Sequence, residues 1–186
     1  MALGELQRAM RDIIRQPNAA VASGDPEIAR YLRRVVDSGR LEVLTHVIRS
    51  WREFDLARAC PLTTAALRAR GLWQAALDSS GVESAGSAFV ERLADRFLEI
   101  ESENRDSLVA TVARFEAAYL AVRRGSNERF VVSWDREPTT VLGQLAAGDP
   151  LGEAGGADGS DGYLTIVARE LPGYVEVIPQ ATATTR

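Results

Sequence analysis

The stretch "LVATVARFEAAYLAVRRGSNERFVVSWD", Leu108 to Asp135, contains the change of period on which the fold turns. Leu108, Val112, Phe115, Tyr119 and Val122 recur at steps of four and three, which sets them on one face of an α-helix. Arg123 and Arg124 suit the negative end of that helix, and Gly125 is able to close it. Past Gly125 the period drops to two, with Phe130, Val132 and Trp134 on one face of a strand. The expected organisation is α+β and mostly α: a helical region over residues 1–125, a small β-rich region over 126–178, and a flexible tail over 179–186.

Upstream, each expected helix has its own start and stop. Leu3, Leu6, Met10, Ile13 and Ile14 mark a first helix that ends before Pro17 and the loop "AAVASGD". Asp25 and Pro26 form an N-cap and first-turn pair, and Ile28, Tyr31, Leu32, Val35 and Val36 line the helix that follows, up to Gly39. A third helix carries Leu41, Leu44, Ile48 and Trp51 and continues through Phe54 and Ala57. Cys60 directly precedes Pro61, so it should be the break before a short helix ending at Gly71. Leu72, Trp73, Ala76 and Leu77 add another short helix, the loop "DSSGVESAGS" follows, and Phe89, Leu93, Phe97 and Ile100 mark a long acidic-faced one.

Downstream, Pro138 to Ala147 reads as a helix and "GDPLGEAGGADGSDG" as a mobile glycine and aspartate loop. Leu164, Ile166 and Ala168 share one face of a second strand, and Val175 and Val177 one face of a third. Between them, "ELPGY" puts Pro172 and Gly173 at the centre of a type II turn, so these two strands form a hairpin.

The composition excludes several chemistries. All 22 basic residues are arginine and none is lysine, which removes Schiff-base catalysis and a Walker-type phosphate lysine. A single cysteine forms no internal disulfide. No apolar run approaches the roughly 20 residues that cross a bilayer, and the first residues carry no signal-peptide pattern; a cytoplasmic, membrane-free protein is expected.

Five groups of residues invite a functional reading, and each has a plainer one. Cys60 near a helix start could be a nucleophile, but no base accompanies it and a small buried residue is the simpler account. His46, the only histidine, is expected to pack or to make a structural hydrogen bond. Asp149, Glu153, Asp158 and Asp161 depart from calcium-loop spacing and read as solvated loop. Glu91, Asp95, Glu99 and Glu103 read as a solvated acidic face, relieved by Arg92 with Asp95 and Arg96 with Glu99. Arg30, Arg33, Arg34, Arg40, Arg49, Arg52 and Arg58 crowd the second and third helices. A nucleic-acid stripe there is weakened by Asp37, Glu42, Glu53 and Asp55.

The succession "GRLEVLTHVIRSW", "ACPLTTAAL", "LVATVARFEAAYLAVRRG", "FVVSWDREPTTVLGQLAAGD" and "VARELPGYVEV" resembles the helical partner proteins encoded beside multinuclear non-heme iron-dependent oxidative enzymes. Those pairs modify ribosomally made precursor peptides, and the partner is similar to proteins whose N-terminal region is catalogued as a DNA-binding domain. The resemblance implies a non-catalytic subunit with no cofactor of its own, the iron residing in the partner enzyme of a heterodimer. On this reading precursor-peptide contacts are expected from Trp134, Asp135 and Arg136, which match the family-like "SWDREP" segment, and from Tyr163, Thr165, Tyr174 and Glu176 of the hairpin; the locally positive helical region is expected to hold the enzyme through Arg33, Arg34, Arg49 and Arg52. A small sheet with an open edge can accept an extended peptide as an added strand. The rival readings are a DNA-binding regulator that uses the arginine-bearing helices and, behind it, an enzyme that uses Cys60.

Overall fold

The computed structural model describes residues 3–15, 25–79, 89–151 and 162–180. Two compact units divide the chain, residues 1–54 and 55–186. In the first, α1 (Leu3–Arg15) and α2 (Pro26–Asp37) bury Ala9, Ile13, Ile28 and Leu32 against one another, with Leu6, Met10 and Val36 at the margin. Asp25 caps α2 as its position suggests: its carboxylate accepts the backbone N–H groups of Glu27 at 2.8 Å and Ile28 at 3.4 Å. Such a cap contributes about 1 kcal/mol. Helix α3 (Arg40–Ala59) enters this unit at Arg40 and leaves it after Phe54.

The second unit is built from the end of α3, then α4 (Pro61–Ala69), α5 (Trp73–Ser79), α6 (Phe89–Glu101), α7 (Ser107–Arg123), β1 (Phe130–Trp134), α8 (Pro138–Ala147), β2 (Tyr163–Val167) and β3 (Val175–Pro179). Among the described residues the chain is therefore mostly helical with one small antiparallel sheet, as its patterning indicates. The expected helix ends at Gly39, Gly71 and Gly125 all lie at positive φ, where glycine alone avoids a Cβ clash. The α3–α4 break falls at Cys60, with Pro61 opening α4.

One apolar core joins the helices to the sheet. Phe97 and Leu98 of α6, Val109, Val112 and Phe115 of α7, Val141 and Leu145 of α8, and Val132, Trp134 and Val167 of the sheet belong to it together. The change of period at Gly125 thus marks a change of element inside one packed unit. Regions 1–125 and 126–178 are not separately packed, because α7 lies directly on the sheet, with Phe115 edge-on to Trp134 at a centroid distance of 5.7 Å.

The strand order is β1-β2-β3, all antiparallel, with Val132 opposite Thr165 and Thr165 opposite Val177. β2 is therefore the central strand. Leu164, Ile166 and Ala168 do share a face, on which Ile166 and Ala168 are buried, but the face that joins the core with α7 carries Tyr163, Thr165 and Val167. Thr165 is tolerated there because the Trp134 indole N–H donates to its hydroxyl at 2.9 Å. In the β2–β3 connection the Tyr174 N–H donates to the Leu171 carbonyl at 2.9 Å, which makes Pro172 and Gly173 the central pair of a turn. Tyr174 itself follows at φ 68°, so the loop is wider than a two-residue hairpin; it closes where the Ala168 N–H meets the Tyr174 carbonyl at 3.0 Å.

Candidate functional site

The backbone hydrogen bonds that flank β2 determine which edges of the sheet are open. The Ala168 N–H donates to Tyr174 and the Gln180 N–H donates to Gly162, so the even-numbered residues of β2 direct their main-chain groups toward β3. By alternation Tyr163, Thr165 and Val167 direct theirs toward Trp134, Val132 and Phe130 of β1. Val131 and Ser133 are left with N–H and C=O groups directed away from the sheet. On β3 the same parity turns Val175, Val177 and Pro179 outward, and Pro179 offers no N–H. The β1 edge therefore keeps its donors, while the β3 edge loses one.

An open groove of about 490 Å³ runs beside β1. Its strand wall is Phe130, Val131 and Val132, its opposite wall Asp95, Leu98 and Glu99 of α6 with Ser102 just past the end of that helix, and its floor Arg114, Ala117, Ala118 and Ala121 of α7. The floor residues follow one another at helical spacing on a single face of α7, and the alanines let a backbone approach closely. Clefts of 300–1,000 Å³ are the usual size for ligands. Asp95 pairs with Arg124 at 2.6 Å and Glu99 with Arg96 at 2.6 Å, the second as its spacing predicts.

The residues singled out in the sequence are scattered around this groove. Trp134 and Thr165 are buried and bonded to one another, so they hold the sheet together and present nothing to a peptide. Tyr163 is half-buried against the same core. Asp135 is exposed and Arg136 half-exposed just past the end of β1. Tyr174 lies across the hairpin loop, its ring edge-on to Tyr119 at 6.2 Å, and Glu176 is exposed on the sheet face away from α7. Residues that pattern reading passed over, Val131, Ser133 and Arg114, line or edge the groove. Of these only Arg114 had a signal, the second face of α7, where Arg114, Ala117, Ala118 and Ala121 recur at i, i+3, i+4 and i+7.

Cys60 is fully buried. Burial pushes its thiol well above the ordinary range, and the nearby carboxylates of Glu116 and Asp95 push the same way against a smaller opposing pull from Arg124. A thiol held protonated in this way packs and does not attack. His46, expected to pack, is exposed on α3. Asp149 is exposed, while Glu153, Asp158 and Asp161 lie outside the described residues, as do residues 80–88 and 181–186. Among the described residues no three His, Cys, Asp or Glu side chains gather as metal ligands would, and no helix is long and apolar enough to cross a membrane.

In the first unit, Arg33, Arg34 and Arg49 are exposed and Arg52 half-exposed. Helix α3 carries an apolar row at steps of four and three, Val43, Val47, Trp51 and Phe54, and it is exposed instead of buried. Trp51 is 64% and Phe54 57% accessible, and their rings meet edge-on at 6.5 Å. Comparison of the chain with known protein families, curated proteins and solved structures finds no match.

Proposed function

We propose that the chain is a non-catalytic partner subunit that docks on an iron-dependent peptide-modifying oxidative enzyme and captures the precursor peptide as an added strand. The observation that carries this reading is the β1 edge: main-chain donors and acceptors at Val131 and Ser133 stand beside an open groove of about 490 Å³. Strand addition draws affinity from such main-chain groups, and neighbouring pockets supply selectivity. The resemblance of the sequence to helical partners of these enzymes supplies the class of enzyme. The exposed row Val43, Val47, Trp51 and Phe54 supplies an apolar face of the kind an interface uses, with arginines at its border.

The proposal predicts an iron-dependent oxidative enzyme and a short precursor peptide encoded beside this chain, and the test is co-expression with them. A one-to-one heterodimer by light scattering, and a peptide mass change that requires this chain, are the expected results. Equal modification of the peptide without the chain would overturn the proposal. A DNA-binding regulator would instead form a complex that weakens steeply with salt and with Arg33, Arg34 and Arg49 replaced.

A further inference from the structure

The groove beside β1 carries one positive charge that no described residue answers. Asp95 and Glu99 on the α6 wall are each engaged by an arginine, Arg124 and Arg96, at 2.6 Å. Arg114, exposed on the α7 floor, has no ion-pair partner among the described residues. The three charges that line the groove, Asp95, Glu99 and Arg114, together with the flanking Arg96 and Arg124 leave an excess of one positive charge, located at Arg114. A strand added along Val131 and Ser133 would lie over Ala117, Ala118 and Ala121, whose small side chains leave room for its backbone, and would bring its side chains past Arg114.

We infer that the groove selects an extended segment bearing an acidic residue, and that Arg114 is the specificity-determining residue. The inference rests on the strand-addition reading above and adds the chemical class of the occupant. An arginine fork binds a carboxylate through two parallel N–H donors, a match no neutral or basic side chain can make. A lysine in the same place of the segment would meet Arg114 as a like charge, and unfavourable contacts of that kind are a common source of specificity. The pair is solvent-exposed, so the preference is expressed as a modest ratio of affinities that salt reduces.

The experiment uses the full chain, isotopically labelled for amide NMR, and two synthetic ten-residue peptides of alternating threonine and valine. One has a central glutamate and the other a lysine in that place. The glutamate peptide is expected to shift the Val131 and Ser133 amide signals and to bind roughly three-fold or more tighter than the lysine peptide, the ratio an exposed ion pair supplies. Arg114→Gln should remove the preference and Arg114→Glu reverse it, with unchanged circular dichroism. Equal binding of the two peptides at Val131 and Ser133, or an unaltered preference in a folded Arg114→Glu variant, would overturn acidic selection and leave strand addition at β1 standing. Shifts confined to Val175 and Val177 would overturn the groove as the site and keep the sheet as the peptide receptor. With no shift anywhere in the sheet, both the inference and the strand-addition reading fall.

Discussion

The carboxylate of Glu116, midway along α7, accepts the backbone N–H of Thr63 at 2.8 Å, and its second oxygen accepts that of Leu62 at 2.9 Å. These are first-turn donors of α4, a helix whose N-cap residue, Cys60, provides no side-chain cap and whose first residue, Pro61, has no N–H to satisfy. A side chain from another helix thus caps α4 and ties it to α7. Glu116→Ala would leave the buried Thr63 donor and the partly buried Leu62 donor without partners, at about 1–3 kcal/mol for the buried one. Denaturant unfolding should rank wild type above Glu116→Gln and Gln above Ala, since the amide still offers one acceptor.

The same carboxyl has a defined pH signature. Burial raises its pKa above the ordinary carboxylate range, against the lowering effect of the Thr63 and Leu62 hydrogen bonds. The folded state therefore holds the proton more tightly than the unfolded state. Its contribution is fully present below the unfolded pKa and is lost as pH rises through the folded one. Relative to Glu116→Gln, wild type should gain stability as pH falls from neutrality into the ordinary carboxylate range. A difference independent of pH would refute this.

Glu137 behaves in the opposite sense. It caps α8, and hydrogen bonds from the Thr140 side chain, with the Thr140 and Thr139 backbone N–H groups, lower its pKa to about 2. Its stabilisation is present above the unfolded carboxylate pKa and is lost as pH falls toward 2. Glu137→Ala should cost about 1 kcal/mol at neutral pH, the usual size for an N-cap, and less in strong acid.

Cys60 should be silent to thiol reagents in the native protein. With the side chain fully buried and its thiol protonated, a disulfide reagent at mild alkaline pH should label the chain only as fast as it opens, and one thiol should appear at once in denaturant. Cys60→Ala should bind partner and peptide within a few-fold of wild type. Rapid native labelling, or loss of binding with an intact fold, would restore a chemical role to the thiol.

Proline separates the outer strand from the central one. Ser133→Pro removes a donor that faces away from β2, so the fold should survive while an added strand loses a hydrogen bond. Thr165→Pro falls in the buried central strand, breaks the ladder and strands the Trp134 indole N–H, so it should unfold the sheet. Circular dichroism and peptide titration distinguish the two outcomes. A folded Ser133→Pro variant with undiminished peptide affinity would remove β1 as the receiving edge.

Trp51 tests docking independently of peptide capture. It is 64% exposed, so Trp51→Ser should change stability by no more than about 0.5 kcal/mol. If the α3 row forms the interface with the enzyme, the same change should weaken the heterodimer by at least roughly ten-fold, the usual cost of losing an aromatic anchor. Undiminished assembly would place the interface elsewhere.

Helix starts and stops were legible without the fold because their causes are local. Asp25 with Pro26, Pro61 after Cys60, Pro138 to Ala147 and the glycine at position 125 each act within one turn of chain, and the structure places them as read. The drop from a period near 3.6 to a period of two at Phe130 was equally local. Burial is not. β2 is apolar on both faces, so alternation alone could not tell that Thr165 and Val167 would meet α7 while Leu164 and Ile166 turned away. The apolar periodicity of α3 gave the helix but not the exposure of Leu44, Trp51 and Phe54, because that periodicity is the same whether or not a partner covers it. Glu116 reads as one more helix acid until the fold brings it to Thr63, 53 positions earlier in the chain. The groove likewise needs β1, α6 and α7 assembled before Arg114 and the free edge at Val131 become neighbours. Sequence alone determined where elements begin and end, since dihedral preference and capping are settled by adjacent residues; tertiary packing decided which faces are buried, which edges stay open and which charges remain unanswered.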